Sequence, residues 1–588
     1  MLSSDSTRTC RPDGQSAMHA LRSPGRIIGH AKGPIFTQAG KTRHAVPCES
    51  SRRDVLLSLS SAGPAVQTCT ELSGSGGSPL ACDSVQQFTL PTGMHFIVYR
   101  STVAPVVSAH IYARVGAWEE AEGATGLAHL GEHLAFKGTR RIGALDWARE
   151  APLLDAMDET FYELRQLQQQ QQAAMGSSRS NSAAAARLQD QLQALQSKAS
   201  GLVEQNAYGK LLSRAGAVGL NATTSHDETR YFVSLPANKL ELWFALESER
   251  FRAPVFRELY AEKKVIEEER RLRVDDAPVG RFQAEFALRS LGNQYRRPVI
   301  GFADDFQQLG RVEVADFFAK YYGPQRLTVA LAGDVTVEQV QQLANKYFGD
   351  WSGAQGLPRP APPPATQDPP PPAASPASPP DAAGGAWRQQ QRLRNPLASI
   401  GLGQRYEEAA AAGPLLLLGF YRPALTSREG TVIQVISDLL TGGRTAQLVQ
   451  RLVLGQRSLL GCSMLAGWPG EARAGLSLVS AVPQQGGSVG AAEKLVWREL
   501  ERFAAEGPTA KELARVQKST RTSLLSAALS NSSMASLLAS YHGLTGSWTG
   551  LLAELEVISQ LTPGEVRDVA QRLFRRDNVF TGVVNKAR

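Results

Sequence analysis

The run LPRPAPPPATQDPPPPAASPASPPDAAGG at 357–385 constrains this 588-residue chain more than any other stretch. Proline lacks a backbone N–H and has a fixed φ, so such a run can neither join a sheet nor continue a helix, and it behaves as a stiff extended spacer. It leaves about 270 residues before it and about 200 after it, each within ordinary domain size. The expected organisation is therefore a first domain at 85–352, a Pro/Ala-rich linker at 353–385 and a second domain at 386–588.

The formal charge of +8 suggests a nucleic-acid partner until it is located. Residues 1–53 hold nine basic and three acidic side chains, so +6 of the +8 sits in this stretch. Arginine- and serine-containing, acid-poor and without hydrophobic periodicity, it reads as a transit peptide, and no nucleic-acid partner is expected. Within 51–84, SRRDVLLSLSSAGPAVQ pairs Arg52 and Arg53 with a short apolar run, which reads as a twin-arginine-like signal and linker. A two-stage address ending in the thylakoid lumen of a chloroplast accounts for both features. The alternative is a single stromal or mitochondrial transit peptide with an accidental Arg pair. No apolar stretch of about 18 residues offers a transmembrane span. The five cysteines show no CxxC spacing, so neither a disulfide framework nor a thiolate metal site is indicated.

In the first domain, FTLPTGMHFIVYR at 88–100 reads as two strands around a Pro-Thr-Gly turn, and VVSAHIYARVG at 106–116 as a third. Helical patterning begins at Thr125. LTVALAGDV at 327–335 reads as a buried strand, followed by the amphipathic helix VEQVQQLANKYFGDW. Strands and helices mix without a regular βαβ rhythm, which predicts an α+β class. After the linker, PLLLLGFYRPAL at 414–425 and a helix near 429–441 repeat the strand, loop and helix of the first domain, so a duplicated domain is expected. The Gln/Ala-rich stretch at 160–205, with Leu188, Leu192, Leu195 and Leu202 at helical spacing, predicts an inserted, exposed helical hairpin; a coiled-coil partner site is the alternative.

Chemistry concentrates in HLGEHLAFKGT at 129–139. Residues four apart lie on one helix face, so His129 and His133 can aim their imidazoles at one ion, with Glu132 beside them to orient water. Two histidines leave a tetrahedral zinc needing one more protein ligand and one open position. The bland alternative is two incidental histidines on a core helix. A carboxylate from YAEKKVIEEERRLRVDD at 260–276 is the best third ligand, and Glu262 and Glu269 share a face there. Spacing alone does not choose among the five glutamates of 258–269, and an acidic helix is commonly just a solvated face.

These stretches resemble the inverted-motif zinc peptidases of the pitrilysin and insulin-degrading enzyme family, M16, and especially its processing-peptidase-like branch. The likeness runs through VGAWEEAEGATGLAHLGEHLAFKGT, GLNATTSHDETRYFVSL, the acidic helix, YRRPVIG at 295–301 and YYGPQRLTVALAGDV at 321–335. It covers most of 85–350 and, more weakly, 390–588. The resemblance implies two homologous domains, each a mixed or antiparallel sheet with helices packed on one face, together forming half of a two-bowl clamshell. It implies one zinc held by His129, His133 and Glu269, Glu132 as the base, and Glu262 supporting the ligands from behind. It further implies that Asn221 and Ala222 lie on a strand that accepts an extended peptide as an added strand.

Three departures stand out. His133 and Glu269 are 136 residues apart, longer than the family spacing by about the length of the 160–205 hairpin. Asn293 and Gln294 stand where many relatives carry His-Pro. In the second domain, relatives supply an Arg and, seven residues on, a Tyr that clamp the substrate; QRLVLGQRSLLGCSML at 450–465 has Arg451 and Arg457 but no tyrosine, and Gly461 or Cys462 falls near that place. The counterpart helix REGTVIQVISDLL has no histidine, so only the first domain can hold metal this way. The expected function is a zinc endopeptidase acting on extended peptides or unfolded segments in an organelle. The alternative is a non-catalytic or partner-dependent subunit that binds polypeptide. A homodimer, or a heterodimer with another M16-type subunit, is expected for either.

Overall fold

The computed structural model of the chain describes residues 67–68, 85–173, 179–353 and 403–587. The leader at 1–53, nearly all of the 51–84 signal and linker, and the proline run at 357–385 lie outside the described residues.

Two sheets organise the chain. The first has seven strands in the order β1 (Gln67–Thr68), β2 (Val85–Thr89), β3 (His95–Arg100), β7 (Leu327–Gly333), β4 (Val106–Ala113), β6 (Thr229–Pro236) and β5 (Val218–Thr224). The second has five in the order β10 (Leu459–Trp468), β11 (Gly475–Pro483), β9 (Leu415–Arg422), β12 (Val579–Lys586) and β8 (Arg405–Ala410). Each sheet is antiparallel except for one parallel pair, β3 with β7 in the first and β8 with β12 in the second. Read outward from that pair, the orders β3-β7-β4-β6-β5 and β8-β12-β9-β11-β10 coincide in chain order, direction and edge strand. The duplication expected from one strand, loop and helix thus extends to the whole five-stranded unit.

Period-two alternation explains how each sheet is covered. On the first sheet Phe96, Val98, Ala109, Ile111, Val329 and Leu331 face a core shared with the helices of their own half. The intervening Ile97, Tyr112, Ala330 and Ala332 face the other way and pack on Met534, Leu538 and Tyr541 of the helix Asn531–Thr545, which belongs to the second half. The second sheet mirrors this. Leu416, Leu418 and Phe420 face its own helices, whereas Leu415, Leu417 and Phe580 receive Phe282 and Phe286 of the first half's helix Pro278–Ser290. The halves therefore exchange one helix each, and burying each of these large side chains contributes about 1.5–3 kcal/mol. Small residues allow the close approach. A Cβ on Gly582 would come within 2.6 Å of the Phe286 ring, and one on Gly543 within 2.1 Å of Tyr112.

The helical hairpin is longer than its sequence pattern suggested. Its arms are Trp147–Ala173 and Arg179–Ser200, so it begins before residue 160, with Pro152 tolerated near the start of the first arm. Leu192 is buried, but Leu202 lies in the turn after the second arm.

Candidate metal centre

The helix Leu127–Leu134, here the histidine helix, buries Leu127, Leu130 and Leu134 on one face. It starts at Gly126, whose φ of 92° is left-handed and suits glycine. Glu120 caps it: its two carboxylate oxygens accept from the Gly126 and Ala128 N–H groups, each at 2.9 Å. Burial pushes the Glu120 pKa up to about 8 against these bonds and Arg297. The glutamate helix, Leu259–Arg270, is pinned on its inner side by Lys263, which donates to the Gln307 and Leu309 carbonyls at 2.9 Å. Burial lowers the Lys263 pKa to about 8.

These two helices bring His129, His133 and Glu269 together, with one ligand-capable atom of each within 4.8 Å of the others. Glu269 Oε2 lies 3.8 Å from His129 Nε2 and 3.9 Å from His133 Nε2. A tetrahedral zinc with bonds of about 2.0–2.1 Å needs ligand atoms about 3.3 Å apart, so the cluster is somewhat wider than a closed site. The donor set fits: two imidazole nitrogens and one carboxylate oxygen leave a fourth position open. The surroundings also fix the donor atoms. His133 Nδ1 is 3.1 Å from Glu262 Oε2, and a proton held on that nitrogen leaves the Nε2 lone pair toward Glu269.

The electrostatics follow from burial and charge. Burial, then His133 and Arg273, drive the His129 pKa down to about 3, which keeps its ring neutral. Burial pulls His133 the same way, but the Glu262 bond and the charges of Glu132, Glu262 and Glu269 outweigh it and raise its pKa. Glu262 is buried too, yet His133 and Lys137 hold it below the usual carboxylate range. Glu132, only 9% exposed, is raised chiefly by burial, with Thr224 and His133 opposing.

Four neighbours were not singled out from the sequence. Thr224 Oγ1 donates to Glu132 Oε2 at 2.5 Å, tying the histidine helix to β5. Lys137 bridges Glu262 at 2.5 Å and Glu258 at 3.2 Å. Arg273 sits 2.5 Å from the other oxygen of Glu269, and Glu120 caps the histidine helix. Lys137 and Arg273 each follow a site residue by four positions, a helical spacing that could have found them. Thr224 becomes visible only through strand register.

Asn221 and Ala222 lie on β5, the outermost strand of the first sheet on that side, opposite Phe232 and Tyr231 of β6. Just beyond, Asp227 sits at the seam between the halves: it accepts from Tyr295 Oη of its own half at 2.7 Å and, from the second half, from the Glu471 and Ala472 N–H groups at 2.7 and 3.1 Å and from Arg473 at 3.2 Å. Asn293, at a position of departure, donates across the same seam to the Ala474 carbonyl at 3.1 Å. In the second half, Arg451 pairs with Glu499 at 3.3 Å and Cys462 is buried in the core, where burial pushes its thiol up to about 12.

Comparison with known proteins points the same way. The family described as "Insulinase (Peptidase family M16)" matches residues 96–162 and 190–297, and "Peptidase M16 inactive domain" matches 308–520. The zinc protease PqqE of Helicobacter pylori is 25% identical over 267 residues, 45% of this chain and 46% of that protein, so the match spans about half the relative's length. An uncharacterized zinc protease of Streptomyces coelicolor is 25% identical over 502 residues, 84% of this chain and 88% of its own. Among solved structures, a protease from Helicobacter pylori superposes with a TM-score of 0.63 at 20% identity, covering 85% of this chain and 99% of that one. The periplasmic protease PqqL from Escherichia coli superposes at 0.54 with 17% identity, covering 86% of this chain but 48% of its own.

Proposed function

This chain belongs to peptidase family M16, and from that premise we propose that it is a zinc-dependent endopeptidase for extended peptides or unfolded segments. The observation that carries the reading is the convergence of His129, His133 and Glu269 from two helices, with Glu132 beside them. When bound, zinc supplies a Lewis acid for the peptide carbonyl and for water.

The chain's own residues do the rest. His129 Nε2, His133 Nε2 and Glu269 Oε2 hold the ion. Glu262 fixes the His133 ring, and Lys137 in turn fixes Glu262. Thr224 occupies Oε2 of Glu132, leaving Oε1 to take a proton from water and pass it to the leaving amine. The free edge of β5 adds the substrate as a further strand along Asn221 and Ala222, recognising backbone rather than sequence. Metal analysis should find one zinc per chain, and cleavage of a quenched peptide should stop with a chelator and fall about 10²–10⁴-fold in Glu132→Gln. A metal-free wild-type protein sinks the proposal.

A second reading is a subunit that holds zinc and peptide but needs a partner to turn over. The absence of a tyrosine seven residues after Arg451 or Arg457, where Ser458 and Met464 stand, favours it, as does the correspondence of this fold to 48% of the PqqL chain, which leaves room for a homodimer or a heterodimer with another M16-type subunit. Turnover that appears only on adding a second subunit selects it. We further propose an organelle, foremost the chloroplast, from the basic leader; a fluorescent protein fused behind residues 1–84 tests this, and mitochondrial import selects the alternative.

A further inference from the structure

Away from the metal centre, a cavity of about 430 Å³ opens where the end of β2 and the starts of β3 and β7 meet the last turn of the helix Asn531–Thr545. We propose that it binds a phosphate group, free or esterified to a small molecule, and that the bound anion helps to fasten the second half to the first. A cavity of about 150 Å³ accepts benzene, so this one has room for a phosphate and a short organic substituent. None of its lining residues gathers at the metal centre, so the site does not rest on the peptidase reading.

The charge of the wall selects the ligand. Arg114 and Arg326 line it with His95 and His542, and among the described residues no carboxylate does. Arg114, exposed just after β4, is tied to Arg326 through its backbone: its N–H donates to the Arg326 carbonyl at 2.9 Å, and its carbonyl accepts from Arg326 Nη1 at 3.1 Å. Its guanidinium meets no acid among the described residues. Arg326 is compensated only by Glu119, at 3.9 Å. Burial first, then Arg114, lower His542 to about 4, and no carboxylate offsets them. A cation would be repelled here, and a neutral guest would leave the Arg114 guanidinium without a counter-charge. Guanidinium forks match the oxygens of a phosphate, which carries close to two charges at neutral pH and accepts several N–H bonds at once.

The second half completes the wall with neutral donors. His542 Nδ1 is buried, but Nε2 is open and has no hydrogen-bond partner among the described residues, so a neutral ring carrying its proton there donates into the cavity. The Ser547 hydroxyl lies beside it, 2.7 Å from that of Thr549. The carbonyls at this helix end, which would repel an anion, are partly taken: Tyr541 accepts from the Thr545 hydroxyl at 2.7 Å and His542 from the Gly546 N–H at 2.8 Å. An anion seated between Arg114 and His542 therefore adds a contact across the seam where His542 already stacks on His95.

Titration calorimetry on the full chain at neutral pH and constant ionic strength, with inorganic phosphate, glycerol 2-phosphate and acetate, tests the site. Phosphate binds and raises the melting temperature above that in chloride, and acetate, with one charge, binds about tenfold more weakly. Arg114→Gln weakens phosphate about tenfold and removes the rise in melting temperature, whereas Arg141→Gln, which deletes an equal charge from an exposed side chain elsewhere, changes neither. Gln325→Glu, which puts a carboxylate at an exposed position of the wall, abolishes binding and decides the matter should Arg114→Gln misfold. Glycerol 2-phosphate bound more tightly than phosphate assigns an ester as the ligand, and weaker binding assigns the free anion. No phosphate binding up to about 10 mM, acetate bound as tightly, an equal effect of Arg141→Gln, or binding retained in Gln325→Glu overturns the proposal. Affinity that vanishes when metal is stripped from the protein also overturns it, by placing the anion at the metal centre.

Discussion

Both halves lay a helix beside the outer strand of their sheet, but they fasten it with different chemistry. In the first half Glu132 of the histidine helix accepts from Thr224 of β5. In the second, on the helix Arg428–Thr441, Ser437 donates to the Met464 carbonyl of β10 at 2.8 Å, and Thr441 accepts from the Met464 N–H at 3.0 Å. Neutral hydroxyls therefore suffice to hold this helix in place. The buried glutamate and two histidines of the first half are therefore not needed to fasten the helix, which agrees with the metal chemistry proposed for them.

The largest break in that comparison is expected from His133→Ala. Zinc content should fall to near zero and peptide cleavage by on the order of 10³-fold or more. Ser437→Ala, which cuts the tie in the other half, should leave zinc content unchanged. If it released zinc as well, the halves would not divide chemistry from architecture in this way. Next in size is Asp227→Ala, which strands four donors at the seam and should cost on the order of 3 kcal/mol in calorimetric stability. Because Asp227 follows β5, cleavage should fall while zinc is retained. Unchanged activity would mean that the second half does not position Thr224.

The sequence revealed what local periodicity can carry. HLGEH predicted a helix face, the hydrophobic runs predicted β2, β3, β4, β7 and β9, and the Glu262–Glu269 spacing placed both carboxylates on one side of a helix. Choosing Glu269 among five glutamates needed the family resemblance, because distance in three dimensions is not written in spacing. The exchange of helices was illegible for a related reason. Pro278–Ser290 looks like an ordinary amphipathic helix, and Asn531–Thr545, apolar around most of its circumference, says only that it is buried; nothing local says that each covers the sheet of the other half. Thr224 and Asp227 were hidden as well, since one acts through strand register and the other through backbone N–H groups more than 240 residues away.

The exchanged helices themselves differ, and smaller effects should expose it. Gly543→Ala puts a methyl 2.1 Å from the Tyr112 ring, and Gly582→Ala puts one 2.6 Å from Phe286. Overpacking of this kind typically costs about 1–3 kcal/mol, and Gly543→Ala should lower the melting temperature more. The reverse order would show that the Phe286 seam is the less yielding of the two.

The smallest effect is a pH dependence confined to one seam. His542, on the second half's exchanged helix, stacks on His95 of β3 with ring centroids 3.8 Å apart. His95 is engaged by Thr89 and Gln87, and Arg114 lies close enough to disfavour a charge on His542. Burial first, then these like charges, lowers His95 to about 3 and His542 to about 4 from 6.5. Both rings are therefore neutral in the fold, and below pH 6.5 the unfolded chain binds protons that the fold does not. Stability from this seam is complete above about pH 6.5 and declines as pH falls toward 4 and then 3. Phe286, seated on Gly419 and Gly582 at the other seam, brings no titrating group. Scanning calorimetry between pH 7.5 and 5 should show a drop in melting temperature that His542→Phe, keeping a ring but no proton site, reduces by a few degrees at most. An equal drop in the variant would assign the acid lability to the other histidines whose pKa values burial lowers, His95, His110, His129 and His226, and would take His542 out of the difference between the two exchanged helices.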